Sequence, residues 1–199
     1  MIHELLKKRF SPRTFSDKKI EHEQIVDLLE AARWAPSSMN EQPWRFLIAE
    51  KDDPQTFNNL LGSLKVNNQA WAKNASLLIL TMARIDSEIT KQINKHALYD
   101  LGNSVAHLTF QAMTMGIYIR QMGGFDPDKT RAIFAVPDNF IPVSVLAIGY
   151  KGNPESLPED LKKKELALRQ RKDLSEIAFT GKFGNSFSEK LNQETVKII

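Results

Sequence analysis

The chain has 199 residues, of which 42% are hydrophobic and 26% charged, the composition of one compact domain that can bury a core. Its 27 basic and 24 acidic side chains give a formal charge of +3, which is too mild for a nucleic-acid-binding surface. Cysteine is absent, which excludes disulfides, thiolate metal sites and a cysteine nucleophile, and the four histidines lack metal-ligand spacing, so we expect no metal.

Apolar spacing predicts helices that alternate with strands along the chain. The expected helices cover 2–9, 23–35, 54–64, a stretch around residue 71, 87–115, a stretch that starts at residue 127, and 158 to about 168. The expected strands cover 44–50, 76–82, 117–120 and 143–150. Asp53-Pro54 and Asp126-Pro127 are pairs typical of helix starts. This order favours an α+β or α/β architecture with three layers.

Two pairs of arginines stand at opposite ends of the chain. Arg9 and Arg13 lie on either side of Ser11, and Arg169 and Arg171 follow near the C-terminus. Guanidinium groups donate paired hydrogen bonds to phosphate oxygens and keep their charge, so four converging arginines suit a phosphate dianion. Either pair alone is more typical of a solvated surface.

Two further segments carry groups that suit a flat polar ligand. The loop between Pro36 and Pro43 offers hydroxyls and amides that can both donate and accept at the edge of a heteroaromatic ring, or that simply cap turns. Gly123-Gly124 follows a strand and precedes a helix, where glycine lets the backbone approach a ligand closely; a plain turn is the alternative.

Several common functional motifs are missing from the sequence. There is no Gly-x-Gly-x-x-Gly, no phosphate-binding Gly-x-x-x-x-Gly-Lys motif and no Gly-x-Ser-x-Gly. No apolar run opens the chain and no stretch reaches the roughly 18 apolar residues of a membrane span, so we expect a cytoplasmic protein that contacts no membrane.

Four segments in one order resemble the nitroreductase family of FMN-dependent oxidoreductases: 9–15, 35–46, 122–126 and 169–177. The resemblance implies an α+β three-layer nitroreductase-like fold, with a central mixed sheet flanked by helices. It implies one domain over 1–199, and a C-terminal extension from about 173 that embraces the partner subunit of a homodimer. Residues 173–199 alternate too weakly to build their own core, which agrees with a tail lying on a second subunit.

The resemblance also implies roles for individual residues around FMN at the subunit interface. The expected cofactor-binding residues are Arg9, Phe10, Ser11, Arg13, Pro36, Ser37, Ser38, Asn40, Met122, Gly123, Gly124, Arg169 and Arg171. Phe10 stands where the family often has a basic residue, and Gln42 is assigned a supporting role. Candidate lining residues of the substrate pocket are Met39, His96, Tyr99 and Phe125.

The activity implied is hydride transfer from NADH or NADPH to flavin N5, followed by reduction of a nitroaromatic, quinone or activated alkene. Because this chemistry belongs to the flavin, no catalytic side chain is assigned. Flavin destruction, reductive dehalogenation and a non-catalytic flavin-binding role remain alternatives. A nucleic-acid binder that uses the arginine clusters is disfavoured by the mild net charge.

Overall fold

The computed structural model describes residues 2–187, and they contain seven α-helices and four strands. The helices are α1 (Glu4–Lys8), α2 (His22–Arg33), α3 (Pro54–Leu61), α4 (Val66–Ala72), α5 (Ala97–Thr114), α6 (Pro127–Phe134) and α7 (Glu159–Leu166). The strands are β1 (Trp44–Glu50), β2 (Leu77–Arg84), β3 (Ile117–Met122) and β4 (Phe140–Tyr150). The four predicted strands are therefore confirmed, three of them with small shifts at their ends.

Two helices begin where the sequence predicts. The side chain of Asp53 accepts the N–H of Thr56 at the start of α3, and Asp126 accepts the N–H of Lys129 at the start of α6. In both helices a proline occupies the first turn, where its missing N–H costs nothing.

The sheet has the order β1-β2-β4-β3, and each described pair of neighbours is antiparallel. The expected mixed sheet is therefore wrong for the described residues. Strand β4 enters between β2 and β3 and runs opposite to both, so strand directions alternate across the sheet.

Each face of the sheet carries its own layer of helices. On one face, Leu77 and Ile79 of β2 belong to a core with residues of α2 and α5. On the other face, Leu78 and Leu80 belong to a core with residues of α3 and α4. Because successive residues of a strand point to opposite faces, an uninterrupted apolar run fills both cores. The predicted three-layer α+β architecture is confirmed.

The helix expected over 87–115 begins only at Ala97. Before it, Asp86 and Ile93 form an isolated antiparallel bridge, Ser87 Oγ accepts the N–H of Thr90, and Lys91 has a left-handed backbone with φ of 58°. Ile93, which completed the apparent helical spacing, is 78% exposed. The turn is thus specified by local hydrogen bonds that compete with a helix.

Contacts divide the described chain into two compact units, one that ends at Glu165 and one that starts at Leu166. In the second unit, Asp173 and Glu176 form a reciprocal capping box around a 3-10 turn. The rings of Phe179 and Phe183 lie 4.6 Å apart, and Phe179 pairs with Ser186. The last part of the predicted tail, 188–199, lies outside the described residues, and its embrace of a partner subunit stays a prediction.

No helix among residues 2–187 combines the length and the apolar character needed to cross a membrane.

Candidate functional site

The segment that follows α1 carries three of the predicted cofactor-binding residues close together. Arg9 Nη1 donates to Ser11 Oγ at 3.3 Å. The backbone N–H of Arg13 donates to both carboxylate oxygens of Glu165, at 3.0 and 2.9 Å, and Arg13 Nη1 lies 3.7 Å from the same carboxylate. Thr14 Oγ1 adds a third donor to Glu165 at 3.3 Å. The structure therefore brings Arg9, Ser11 and Arg13 into one cluster.

Arg120, on β3, joins this cluster without having been predicted. Its Nη1 donates to the carbonyl oxygen of Ser11 at 2.6 Å, and its guanidinium lies 5.3 Å from the ring centre of Trp71. Burial lowers the pKa of Arg120 below its ordinary value, and the positive charge of Arg13 lowers it further. The cluster is consequently electropositive and only half open to water.

Phe10 has a packing role in this structure. Its ring meets Tyr118 edge to face with 5.1 Å between centroids, and Lys151 Nζ lies 5.2 Å from the Phe10 centroid. Lys151 therefore places a positive charge beside the Phe10 ring. The resemblance to the family would lead us to expect a basic residue at position 10 itself. The contact of Phe10 with a cofactor stays a prediction.

The polar loop between Pro36 and Pro43 is held in a strained shape. Met39, Asn40 and Gln42 have positive φ angles of 52°, 55° and 46°. Ser37 Oγ accepts the N–H of Gln42 at 3.0 Å, and the N–H of Ser38 donates to the buried Asp100 at 3.1 Å. The first bond holds the shape of the loop itself, and the second fixes the loop against α5.

Some polar side chains of the loop are hydrogen-bonded within it, and others are available to a ligand. Gln42 Nε2 donates to Asn40 Oδ1 at 3.2 Å and to its carbonyl oxygen at 3.3 Å, which agrees with a supporting role. Within residues 2–187, Ser38 Oγ and Asn40 Nδ2 have no hydrogen-bond partner. These two groups remain available to a ligand.

Next to the loop lies a depression of about 260 Å³ that contains two of the four predicted pocket residues, Met39 and His96. Glu41 also lines it and binds the adjacent turn by accepting from Ser87 Oγ and from the N–H of Glu88. Asn94 accepts the N–H of His96 at 3.0 Å.

The other two predicted pocket residues do not line this depression. Tyr99 is 72% exposed on α5, and Phe125 is buried in the core on the face of α3 and α4, where it pairs with Leu64. The structure thus brings Met39 and His96 together and leaves Tyr99 and Phe125 outside that group.

The glycine pair after β3 presents free backbone donors. The carbonyl oxygen of Gly124 accepts from the N–H of Lys65 at 2.9 Å and from Asn68 Nδ2 at 3.1 Å. The N–H groups of Gly123 and Gly124 meet no acceptor among residues 2–187. A Cβ at Gly124 would approach Asn68 Nδ2 to 2.8 Å, so the Asn68 side chain would have to turn away from any larger residue here. Met122 is buried at the end of β3.

Arg169 and Arg171 belong to the second compact unit and are exposed. Arg171 Nη1 donates to the carbonyl oxygen of Gln170 at 2.6 Å. Their convergence with Arg9 and Arg13 stays a prediction.

Sequence reasoning missed Arg120, Glu165 and Asn68. A signal existed for Arg120, because it is the one cation inside a predicted strand that is otherwise apolar. Glu165 stands in a run of lysines typical of an exposed helix, and Asn68 in a polar stretch of α4, so neither had a distinguishing pattern.

Comparison with known proteins agrees with this α+β architecture. The model of the nitroreductase family matches residues 6–63. A solved structure described as an oxidoreductase containing FMN has a TM-score of 0.88, with 33% identity over 93% of this chain and 94% of that one.

Two curated relatives extend the comparison. A 15.4 kDa protein from the ask 5′ region of Mycolicibacterium smegmatis is 36% identical over 131 residues, 66% of this chain and 86% of its own length. The major NAD(P)H-flavin oxidoreductase of Aliivibrio fischeri is 35% identical over 81 residues, 40% of this chain and 37% of its own. The chain belongs to the nitroreductase family.

Proposed function

We propose that this protein is an FMN-dependent NAD(P)H oxidoreductase that reduces small nitroaromatic, quinone or activated-alkene acceptors. The observation that carries the proposal is the half-buried, electropositive cluster of Arg9, Ser11, Arg13 and Arg120. Such a cluster fits the terminal phosphate dianion of FMN. A similar solved structure described as containing FMN, and a relative named as an NAD(P)H-flavin oxidoreductase, support the same cofactor and electron donor.

The remaining polar groups fit the isoalloxazine ring. Ser38 Oγ and Asn40 Nδ2 are available to bind a ring edge, and the free N–H groups of Gly123 and Gly124 would donate to the reactive edge around N5 and O4. Pro36 and Ser37 would position this loop, and Met122 would place the glycine pair. When bound, FMN supplies a group that takes hydride from NAD(P)H and passes it to a second substrate in a ping-pong sequence.

The protein residues would bind, orient and exclude water, and none would transfer a proton. Acceptor molecules would enter the depression that contains Met39 and His96, beside the loop that orients the ring. The apolar Met39 side chain suits a flat aromatic or quinonoid molecule, and the imidazole of His96 offers a polar contact to its oxygens.

An apolar surface supports the proposed homodimer. A groove of about 510 Å³ between α1, α2 and α5 is lined by Leu5, Trp34 and Phe110 among others. Trp34 is 74% exposed, an unusual state for the largest apolar side chain. A second copy of the chain would cover this face and bring its own loop 36–43 to the FMN site.

An anaerobic visible spectrum tests the proposal. The purified protein should be yellow, and NADH or NADPH should bleach it; addition of a quinone or nitroaromatic should then restore the colour. A yellow protein that neither nucleotide bleaches would favour the non-catalytic flavin-binding alternative, and a colourless protein that binds no added FMN would refute the proposal.

A further inference from the structure

The two peptide groups on either side of Pro12 are both held by ionic side chains from distant parts of the chain. Arg120 Nη1 donates to the carbonyl oxygen of Ser11 at 2.6 Å across 109 positions. Glu165 accepts the N–H of Arg13 on both carboxylate oxygens, across 152 positions. Pro12, between them, is buried and has a fixed φ. The backbone from residue 11 to residue 13 is therefore held at both ends.

The Glu165 side chain is only 2% exposed, and a buried carboxylate is costly unless it is well paired. Its partners are the N–H of Arg13, the hydroxyl of Thr14 and, more distantly, the guanidinium of Arg13. All three belong to the segment proposed to bind phosphate. Glu165 therefore acts on this segment in particular.

Arg120 acts on the same segment from the other side. By donating to the Ser11 carbonyl oxygen, it fixes the direction of that carbonyl group and neutralises part of its negative dipole end. Its guanidinium has four further N–H donors, and no acceptor for them is found among residues 2–187. Burial is the main cause of the lowered pKa of Arg120; the charge of Arg13 lowers it further, and the carboxylate of Glu165 raises it by a smaller amount.

We propose that Arg120 and Glu165 are positioning residues that hold residues 11–13 so that the Ser11 hydroxyl and the Arg13 guanidinium face the FMN phosphate. The proposal rests on the proposed function, and neither residue needs to touch the isoalloxazine ring. Both residues act only on the phosphate half of the cofactor. Their loss should therefore weaken the binding of FMN and leave the binding of riboflavin, which lacks the phosphate, almost unchanged.

The variant Glu165→Gln separates positioning from simple charge. Removal of a negative charge near the phosphate would strengthen FMN binding if charge alone mattered. A glutamine can accept only on one oxygen and turns an NH₂ donor toward the Arg13 N–H, so positioning predicts weaker binding. The two explanations thus predict opposite signs for one substitution.

The experiment titrates flavin-free protein with FMN and with riboflavin, following the quenching of flavin fluorescence. We expect Glu165→Gln and Arg120→Met each to raise the Kd for FMN about tenfold or more and to change the Kd for riboflavin less than about twofold. Arg120→Lys, which keeps the charge, should recover part of the loss. Arg131→Met is the matched control, because Arg131 also donates to backbone carbonyl oxygens, those of Val136, Pro137 and Phe140, on another loop.

Unchanged or tighter FMN binding in Glu165→Gln would overturn the proposal, as would an equal loss of FMN and riboflavin, which indicates general structural damage. If Glu165→Gln fails to fold, the Arg120 variants decide the question. Equal affinities of Arg120→Met and of the wild type for FMN would then overturn the proposal. Failure of the proposed function is recognised separately, in the wild-type protein, as an absence of preference for FMN over riboflavin.

Discussion

Replacement of Arg13 by alanine should remove FMN while leaving the protein folded. The Arg13 side chain is 19% exposed, so its contact with a phosphate would be largely shielded from water. A hydrogen bond to a charged group in such a place contributes about 1.5–3 kcal/mol, which corresponds to a 10- to 150-fold rise in the Kd for FMN, by order of magnitude.

The same substitution should have a small effect on stability. Glu165 keeps the backbone N–H of residue 13 and the hydroxyl of Thr14, and it loses only the guanidinium at 3.7 Å. We expect the free energy of unfolding to fall by about 1 kcal/mol. The assay is the ratio of flavin to protein after purification, followed by FMN titration and by urea unfolding of the flavin-free protein.

The matched control is Lys19→Ala, which removes one positive charge from an exposed pair with Asp52, outside the cluster. It should retain FMN at the wild-type ratio. Full FMN occupancy in Arg13→Ala, measured beside this control, would refute the assignment of the phosphate to the segment after α1.

Three further predictions concern other parts of the protein. Gly152→Ala should lower the melting temperature, because its Cβ would lie 2.7 Å from the backbone carbonyl group of Phe15, which cannot turn aside, whereas Gly123→Ala, with no heavy atom within 4 Å, should leave it unchanged. Trp34→Glu should yield a monomer by light scattering and lose FMN, because it places a charge in the apolar groove; a dimer that retains FMN would contradict this. Asp126→Ala should cost about 1 kcal/mol in urea unfolding, because it removes the N-cap of α6.

The elements that the sequence predicts well are those whose signals are local. Asp53-Pro54 and Asp126-Pro127 specify helix starts because the capping side chain and the first turn are three residues apart. The helix expected from residue 87 begins only at Ala97, and the cause is again a local hydrogen bond. Ser87 uses its hydroxyl to hold a turn, and an apolar residue at 93 completes a helical spacing without being buried.

The residues of the candidate site likewise fall into two groups, those with a local sequence signal and those without one. The segments at 9–13, 36–43 and 122–124 could be identified because each carries its chemistry within a few residues. Arg120 and Glu165 could not be linked to Ser11 and Arg13, because those contacts depend on the order of strands in the sheet and on where α7 returns. The alternation of strand directions could not be predicted either, because hydrophobic periodicity indicates which residues are buried and does not indicate which strands lie side by side.

The balance of charge in the cluster explains why a dianion would stabilise it. Arg13 and Arg120 repel each other, and the single carboxylate of Glu165 offsets part of that repulsion. Because Glu165 also accepts a backbone N–H and a hydroxyl, its charge is shared and the cluster keeps a net positive potential. A phosphate dianion would complete the balance, so FMN should raise the melting temperature of the flavin-free protein more than riboflavin does at the same free concentration.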